Sequence, residues 1–519
     1  MNVGPKAWKH ETTKLFVGDL HNHCGISYGH GTLGDALANA RQQLDFCSVT
    51  GHAAWPDMPA PTPDTQHIID FHERGFRRLR EQWAEAMAQM ETANTPGQFV
   101  TFPGFEVHSC EYGDRTVVLK CPVESLPNPD SYAALVCQLR QWQAAGLDAF
   151  CIPHHIAYRR GFRGIDWSLF DSECAPVVEI VSMHGCSEND DTPIPYLHVM
   201  GPSDGASTMA TGLAEGHFFG VMGSTDHHAA HPGSYGYGRT GVWATECTRD
   251  AIWEGIQARR TYALTGDRIE LRVALNGHPM GSRLAFCRER TIDIQVIGGA
   301  PIDAVDVIKN GALLRRFSEC DRCGISSGEH STRTRILLEL GWGARERAFK
   351  WQGELRVMGG RIHAVEPRFR GREVLAPQEN GHAPVSFHES TCCQPEADRV
   401  EFRTVTRGNP TVRTDSSQGI CLHTDYSPGA VVTAVLNGQP LRFPLSELMK
   451  GAQSGRIGEM ESPSYRLARV PAPEELAWRC RVEDTGDSEA DDVYWVRVRQ
   501  KNNQWAWSSP IRVDRQVGD

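Results

Sequence analysis

KLFVGDLHNHC, residues 14–24, runs a short apolar segment into Asp19 and then sets His21 and His23 two apart, with Asn22 between them. Side chains in an extended segment alternate faces, so residues i and i+2 project together, and two imidazoles so placed can grip one metal ion. Asp19 shares that face and is read as an orienter of the histidines. The same layout, an apolar run ending in a potential ligand, recurs along the first half. LDFCSVTGH (44–52) ends at His52, QFVTFPGFEV (98–107) carries Glu106, and LDAFCIPHH (147–155) ends at His154 and His155. APVVEIVSMHG (175–185) carries His184, and HFFGVMGSTDHH (217–228) ends at Asp226, His227 and His228. Each run is rich in Val, Ile and Phe and short enough for a buried strand.

Helical patterns separate the strands. TLGDALANARQQL (32–44) puts Leu33, Ala36, Leu37, Ala40 and Leu44 on one face, and FRRLREQWAEAMAQM (76–90) aligns Leu79, Trp83, Met87 and Met90. Strand and helix in alternation predict a parallel α/β sheet, doubly wound or closed as a barrel. Ligands at carboxyl ends of parallel strands are where such folds build their sites. Of 22 histidines, 16 lie at or before His231, so histidine chemistry belongs to this half. Beyond about residue 275 the pattern becomes period two with Gly and Asn turns, as in ERTIDIQVIGGAPIDAVDVIKNG (289–311) and DDVYWVRVRQKNNQWAWSSPIRV (491–513). That predicts antiparallel β structure, with KNNQ as a hairpin turn. The expected organisation is residues 1–275 as the ligand-bearing α/β domain and 276–519 as a β-sandwich-like domain.

The 519 residues carry a net charge of −11, so no global basic field draws the chain to nucleic acid or anionic lipid, and no basic stripe with interleaved aromatics appears. No 18-residue apolar run spans a membrane, and MNVGPKAWKH lacks signal-peptide features, so a cytoplasmic location with reduced thiols is expected. Cys320 and Cys323 form a lone CxxC and are read as a plain loop. Cys24 is read as packing.

GDLHNHCG, the TGH at 50–52, PGFE, IPHH and STDHH together resemble the PHP (polymerase and histidinol phosphatase) superfamily over about residues 14–270. RRTYALTGDRI (259–269) and the tail ending in WAWSSPIRV resemble a long branch of it with a C-terminal β domain. The resemblance implies a distorted (β/α)7 barrel holding two or three divalent ions (Zn2+, Mn2+ or Fe2+) at its strand ends. It assigns His21, His23, Glu106 and Asp226 to a first ion, with Glu106 bridging to a second held by His154 and His184. His30, His52 and His228 would hold a third. Members usually carry Asp before the histidine of the second strand, where this chain has Gly51.

Two ions bridged by a carboxylate imply a hydrolase that attacks with a metal-bridged hydroxide. Glu106, Asp226 and His228 are its expected catalytic residues, and a phosphate mono- or diester of a small molecule is its expected substrate. Arg159, Arg160 and Arg163, directly after the fourth ligand-bearing strand, are candidate phosphate clamps. Tyr28, Asp204 and Arg239 are further candidates for the same rim. Hydrolysis of an amide, lactone or ester, and a non-catalytic metal-binding module, are the alternatives. The sequence leaves the oligomeric state open.

Overall fold

The segment at 14–19 is a strand, β1 (Lys14–Asp19), buried over its last three residues. The computed structural model describes residues 12–196, 200–322, 333–345, 347–372, 386–408, 416–487 and 489–516. α1 (Leu33–Gln43) starts at Thr32, whose hydroxyl accepts the Asp35 N–H while the Asp35 carboxylate accepts the Thr32 N–H. This reciprocal pair satisfies two amides that a helix start leaves unpaired. β2 (Phe46–Cys47) and β3 (Gly51–Ala54) precede the 28-residue α2 (Gln66–Ala93), which buries Leu79, Trp83, Met87 and Met90 as the spacing requires. Then come β4 (Val100–Thr101), β5 (Gly104–Val107), β6 (Arg115–Leu119), α3 (Tyr132–Ala144) and β7 (Ala149–Pro153). β8 (Val177–Ser182), β9 (Gly185–Cys186), α4 (Met209–Ala214), β10 (Gly220–Gly223), β11 (Arg239–Ala244), α5 (Arg249–Gln257) and β12 (Thr261–Leu264) complete the first half.

Every apolar run quoted above contains a strand, and the chain is mixed α/β and strand-rich. The pairing departs from an all-parallel sheet, and among the described residues no hydrogen-bonded ladder closes the first half into a barrel. Its strands fall into three pieces, β12-β11-β1-β2-β4, β3-β5-β6-β7 and β10-β8-β9. β1-β2, β2-β4, β3-β5 and β8-β10 are parallel, whereas β5-β6, β6-β7, β1-β11 and β11-β12 are antiparallel. Residues 108–114 join β5 to β6, too few for the crossover that parallel neighbours need, so a hairpin forms instead.

The sheet carrying β1 does not stop near residue 275. β12 pairs antiparallel with Trp505–Ser508, which pairs with Asp492–Gln500; Ile302–Lys309 and Ala312–Ser318 add to one side of that strand and Ile511–Val513 and Arg283–Leu284 to the other, giving eleven strands. The KNNQ stretch is the hairpin turn between the two downstream strands, with Asn503 at φ +59°. Tyr494, Val496 and Val498 enter one buried cluster while Trp495 joins Trp505 and Trp507 in another, so both faces of this hairpin are covered. The buried Glu188 carboxylate accepts from the indole N–H groups of Trp495 and Trp507 at 2.8 Å each, and Arg497 at 3.2 Å completes the set. Ser509 Oγ accepts the Val221 N–H at 2.9 Å and donates to the Thr261 carbonyl at 2.6 Å.

Between these pieces, two five-stranded antiparallel sheets face each other over residues 334–467. Ile336, Leu338 and Leu340 of one meet Leu355, Val357, Val400, Phe402 and Val432 of the other in a shared apolar core. Arg372 and Arg407 both pair with Glu389 at the edge of this sandwich. The described cysteines are free thiols, Cys24 and Cys47 being buried in the core; Cys323 lies outside the described residues. Among the described residues no helix is long and apolar enough to cross a membrane.

Candidate metal centre

β1 ends by aiming His21 and His23 into a buried space that Glu106, at the end of β5, and Asp226, three residues past β10, enter from other sides. Glu106 Oε2 lies 3.1 Å from His21 Nε2 and 3.2 Å from His23 Nε2, and Asp226 Oδ1 lies 3.2 and 3.0 Å from the same two atoms. The second oxygens turn outward to further histidines. Glu106 Oε1 is 3.4 Å from His154 Nε2 and 3.0 Å from His108 Nδ1, and Asp226 Oδ2 is 2.6 Å from His184 Nε2. Each carboxylate thus spans from the His21/His23 pair to another imidazole.

The loops after β1 and β10 are laced to hold this geometry. Asp226 N–H donates to the His21 carbonyl at 2.9 Å and His23 N–H to the His227 carbonyl at 2.8 Å. Asp226 sits at φ +52°, a left-handed conformation that Asp tolerates better than most residues. Asp19 is buried and accepts from Thr225 Oγ1 at 2.5 Å, from the Gly233 N–H at 2.8 Å and from the His21 N–H at 3.1 Å. It therefore ties backbone to backbone and does not touch the histidine rings.

Ring orientation comes from a residue the sequence reading missed. Glu179 on β8 meets His21 Nδ1 at 2.8 Å, which leaves Nε2 facing the centre. The VVEIVS run carried a signal, since one carboxylate within a fully buried strand requires a partner. His108 was also missed, although it stands two residues after Glu106, by the same i, i+2 rule that singled out His21 and His23. It lies 2.8 Å from Asp114, and Tyr28 Oη reaches its Nε2 at 2.6 Å.

His52, His23 and His228 offer ring nitrogens to one another within ligand reach, the His23 and His52 rings stacking at 3.9 Å. No carboxylate precedes His52. Instead Ser27 Oγ lies 3.2 Å from its Nδ1 and Tyr28 stacks on it at 3.7 Å. A side chain at Gly51 would put its Cβ 2.8 Å from Leu79 Cδ1, so an aspartate there would require Leu79 of α2 to shift. His30 is buried and donates its N–H to the His228 carbonyl, with its ring 6.1 Å from Phe387. His155 Nε2 is 3.4 Å from Asp114, and Tyr158 Oη meets His184 Nδ1 at 2.9 Å. A segment of the downstream half also closes on this loop, as a Cβ at Gly371 would stand 2.4 Å from His227 Cε1.

The three arginines differ in placement. Arg163 is drawn in and paired with Asp114 and His108; Arg160 is exposed and bridges to Asp166 at 2.7 Å; Arg159 is exposed. Asp204 caps a short turn through the Ala206 N–H. Arg239 is buried and donates to the carbonyls of Gly233 and Gly266 and to Gln43 Oε1.

The chemistry of these residues fits a divalent cation. Bonds of 2.0–2.2 Å place neighbouring ligand atoms about 2.8–3.6 Å apart between octahedral and tetrahedral geometry, and the separations among His21, His23, Glu106 and Asp226 fall within that range. Nδ1 of His23 is buried without a hydrogen-bond partner, and Nε2 of His23 and of His154 face the carboxylates. Burial pushes the imidazole of His154 down to about 3, so it is neutral and offers a lone pair. At His21, burial has the same sense but is outweighed by Asp226 and Glu179, which hold its pKa well above the ordinary imidazole value. The pocket between the carboxylates is a place where positive charge is stabilised.

Residues 233–278 match a family described as "Protein of unknown function (DUF3604)". An uncharacterized protein of Chlamydia muridarum is 29% identical over 192 residues, covering 34% of this chain and 31% of that protein. One from Chlamydia pneumoniae is 27% identical over 243 residues, 43% of this chain and 39% of its own length. The matched stretch thus spans well under half of these relatives. Among solved structures, a two-domain protein containing a predicted PHP-like metal-dependent phosphoesterase from Bacteroides vulgatus aligns over 85% of this chain and 99% of that one, at 13% identity and a TM-score of 0.31.

Proposed function

We propose that this chain is a metal-dependent hydrolase acting on a phosphate mono- or diester of a small molecule, in the manner of a distorted PHP barrel. One observation carries the reading: Glu106 and Asp226 each present one oxygen to His21 and His23 and the other to His154 or His184. That arrangement suits two divalent ions, of Zn2+, Mn2+ or Fe2+ type, side by side. Such ions acidify bound water toward neutral pH and polarise the electrophile.

The chain's own residues do the remaining work. Glu106 and Asp226 fix the separation of the two halves of the centre, and Glu179 keeps His21 in register. His228 is the open side: its side chain is 27% exposed, against 5% or less for His21, His23, His154, His184 and Asp226. Its Nδ1 is held by the Asp226 carbonyl at 2.8 Å, so Nε2 is the atom that takes a ligand or a proton. His30, His52 and His228 are the residues that would hold a third ion, and His52 and His228 also lie within ligand reach of His23.

A second reading, hydrolysis at a carbon centre such as an amide, lactone or ester, is favoured by the arginines. Arg163 spends its charge on Asp114 and Arg160 on Asp166, so neither of these two candidates is free to clamp phosphate beside the centre. Elemental analysis followed by chromogenic phosphomonoester, phosphodiester and carboxyl-ester screens with added Mn2+ or Zn2+ separates the two. Two or more ions per chain are expected. Glu106→Gln should lower both metal content and turnover, the latter by at least about a hundredfold. Intact turnover in that variant would overturn the bridging role.

A further inference from the structure

The loop that follows β10 carries Asp226 and His228, and its backbone needs support from outside. Asp226 and Ala230 both hold left-handed conformations, at φ +52° and +49°, which cost an L residue energy and persist only where surrounding contacts impose them. Part of that support comes from α1. Asn39 and Gln43, four residues apart and so on one face of the helix, are 1% and 3% exposed, burial that a polar side chain tolerates only with its bonds made. Asn39 Nδ2 donates to the Ala230 carbonyl at 2.8 Å, and Gln43 Nε2 to the carbonyls of Pro232 and Gly233 at 3.3 and 2.9 Å.

The same two side chains also reach the downstream sandwich. Asn39 Nδ2 donates to the Phe387 carbonyl at 3.0 Å and Asn39 Oδ1 lies 2.8 Å from His388 Nδ1, while Gln43 Oε1 accepts the Phe369 N–H at 3.3 Å. Residues 369–371 run on directly from the sandwich strand Ile362–Arg368 and close on the loop. Phe369 buries its ring in the sandwich core while its carbonyl accepts the Tyr235 N–H at 3.0 Å, and the Gly371 N–H donates to Ser234 Oγ at 3.0 Å. A Cβ at Gly371 would stand 2.4 Å from His227 Cε1 and 2.6 Å from His231 Cβ, so this strap and the loop meet with no room for a side chain. The strap is held in turn from within the sandwich. Gln418 Oε1 accepts the Arg370 N–H at 2.8 Å and Gln418 Nε2 donates to the Arg370 carbonyl at 3.0 Å, while Arg370 Nη1 donates to the Ser417 carbonyl at 2.6 Å. Bonds and packing thus run without a gap from Gln418 through Arg370 and Gly371 to the loop that bears Asp226.

On the metal-binding reading above, and independently of the reaction it serves, we infer that the downstream sandwich is a working part of the metal centre: residues 369–371 position the loop that carries Asp226 and His228. Gly371 and Gln418 are positioning residues that act through that loop. The test measures Zn2+ affinity of the full chain by competition with a chromogenic chelator, the visible absorption of the Co2+ form, and thermal unfolding in excess chelator. Gly371→Ala forces strap and loop apart, so it should weaken Zn2+ at least about tenfold and alter the Co2+ bands. Gln418→Ala frees the strap from inside the sandwich; it should weaken Zn2+ about threefold or more and decides the matter if Gly371→Ala does not fold. Val432→Ala loosens the sandwich core without removing a bond of the strap, so it should lower the unfolding temperature and leave Zn2+ affinity and Co2+ bands at wild type. Wild-type affinity and bands in the folded Gly371→Ala or Gln418→Ala protein would overturn the positioning role. So would equal weakening by Val432→Ala, which would reduce the effect to general loosening. A wild type that takes up no Zn2+ would overturn the metal centre itself, and with it both this role and the hydrolase reading.

Discussion

His21 shows how much a single contact decides. Its two nitrogens face two different carboxylate environments, and the 2.8 Å contact from Nδ1 to Glu179 determines which nitrogen is offered to the centre. Burial raises the Glu179 carboxyl to about 7, with His21 opposing that rise, and a cation at Nε2 would favour its ionised form. Glu179→Gln should therefore reduce metal affinity by about 10–100-fold, measured by competition with a chromogenic chelator, and excess metal should restore most of the turnover. Unchanged affinity would show that Glu179 only fills space.

At the scale of elements, α2 and the strand pairs carry the stability. Trp83 on α2 is buried, with its indole N–H on the Val123 carbonyl at 3.0 Å. Trp83→Ala should cost about 3–5 kcal/mol in denaturant unfolding. A cost under 1 kcal/mol would mean that the core collapses around the gap. In the downstream strands, Asp306 is buried, which raises its pKa, but the hydrogen bonds from Arg316 and Arg497 outweigh this and hold it below the ordinary aspartate value. A carboxyl lowered on folding stabilises above its unfolded pKa of about 3.8, and that stability drains away as pH falls through the lower folded value. The stability gap between wild type and Asp306→Asn should accordingly be constant near neutrality and shrink below about pH 4 in acid titrations followed by circular dichroism.

These elements also show what the sequence made legible. Leu79, Trp83, Met87 and Met90 declared α2 by periodicity alone, and the ligand-bearing strands declared themselves by apolar runs. Strand direction was not legible, because β6 (RTVVL) reads like any buried strand and only its pairing with β5 and β7 shows it to be antiparallel. Glu106 and Asp226 stood out by position, whereas Asp114 and Ser27 reach the site from turns where neither period applies. Arg163 was legible as near the site but not as neutralised, since its partner Asp114 is 49 residues away in sequence and adjacent only in space.

For the whole molecule, the consequential feature is the seam along β12. Its partner strand, Trp505–Ser508, and the Glu188 anchor for Trp495 and Trp507 make the strands Asp492–Gln500 and Trp505–Ser508 part of the same sheet as β1. A fragment ending at residue 275 should therefore aggregate or lack cooperative unfolding by calorimetry, because it bares the β12 edge and leaves the Glu188 carboxylate without its donors. A soluble fragment with a sharp transition would show that the seam is dispensable.

That seam also fixes a timetable. Thr265, one residue past β12, is bonded to Trp505 across 240 residues of chain. At synthesis rates of 5–20 residues per second, roughly 10–50 s pass between the emergence of the two strands. In every round of translation the half that carries the histidines waits that long with an open edge. Its exposure to misassembly is thus set by the speed at which the ribosome reads the downstream half, a quantity that no substitution within the centre itself can change.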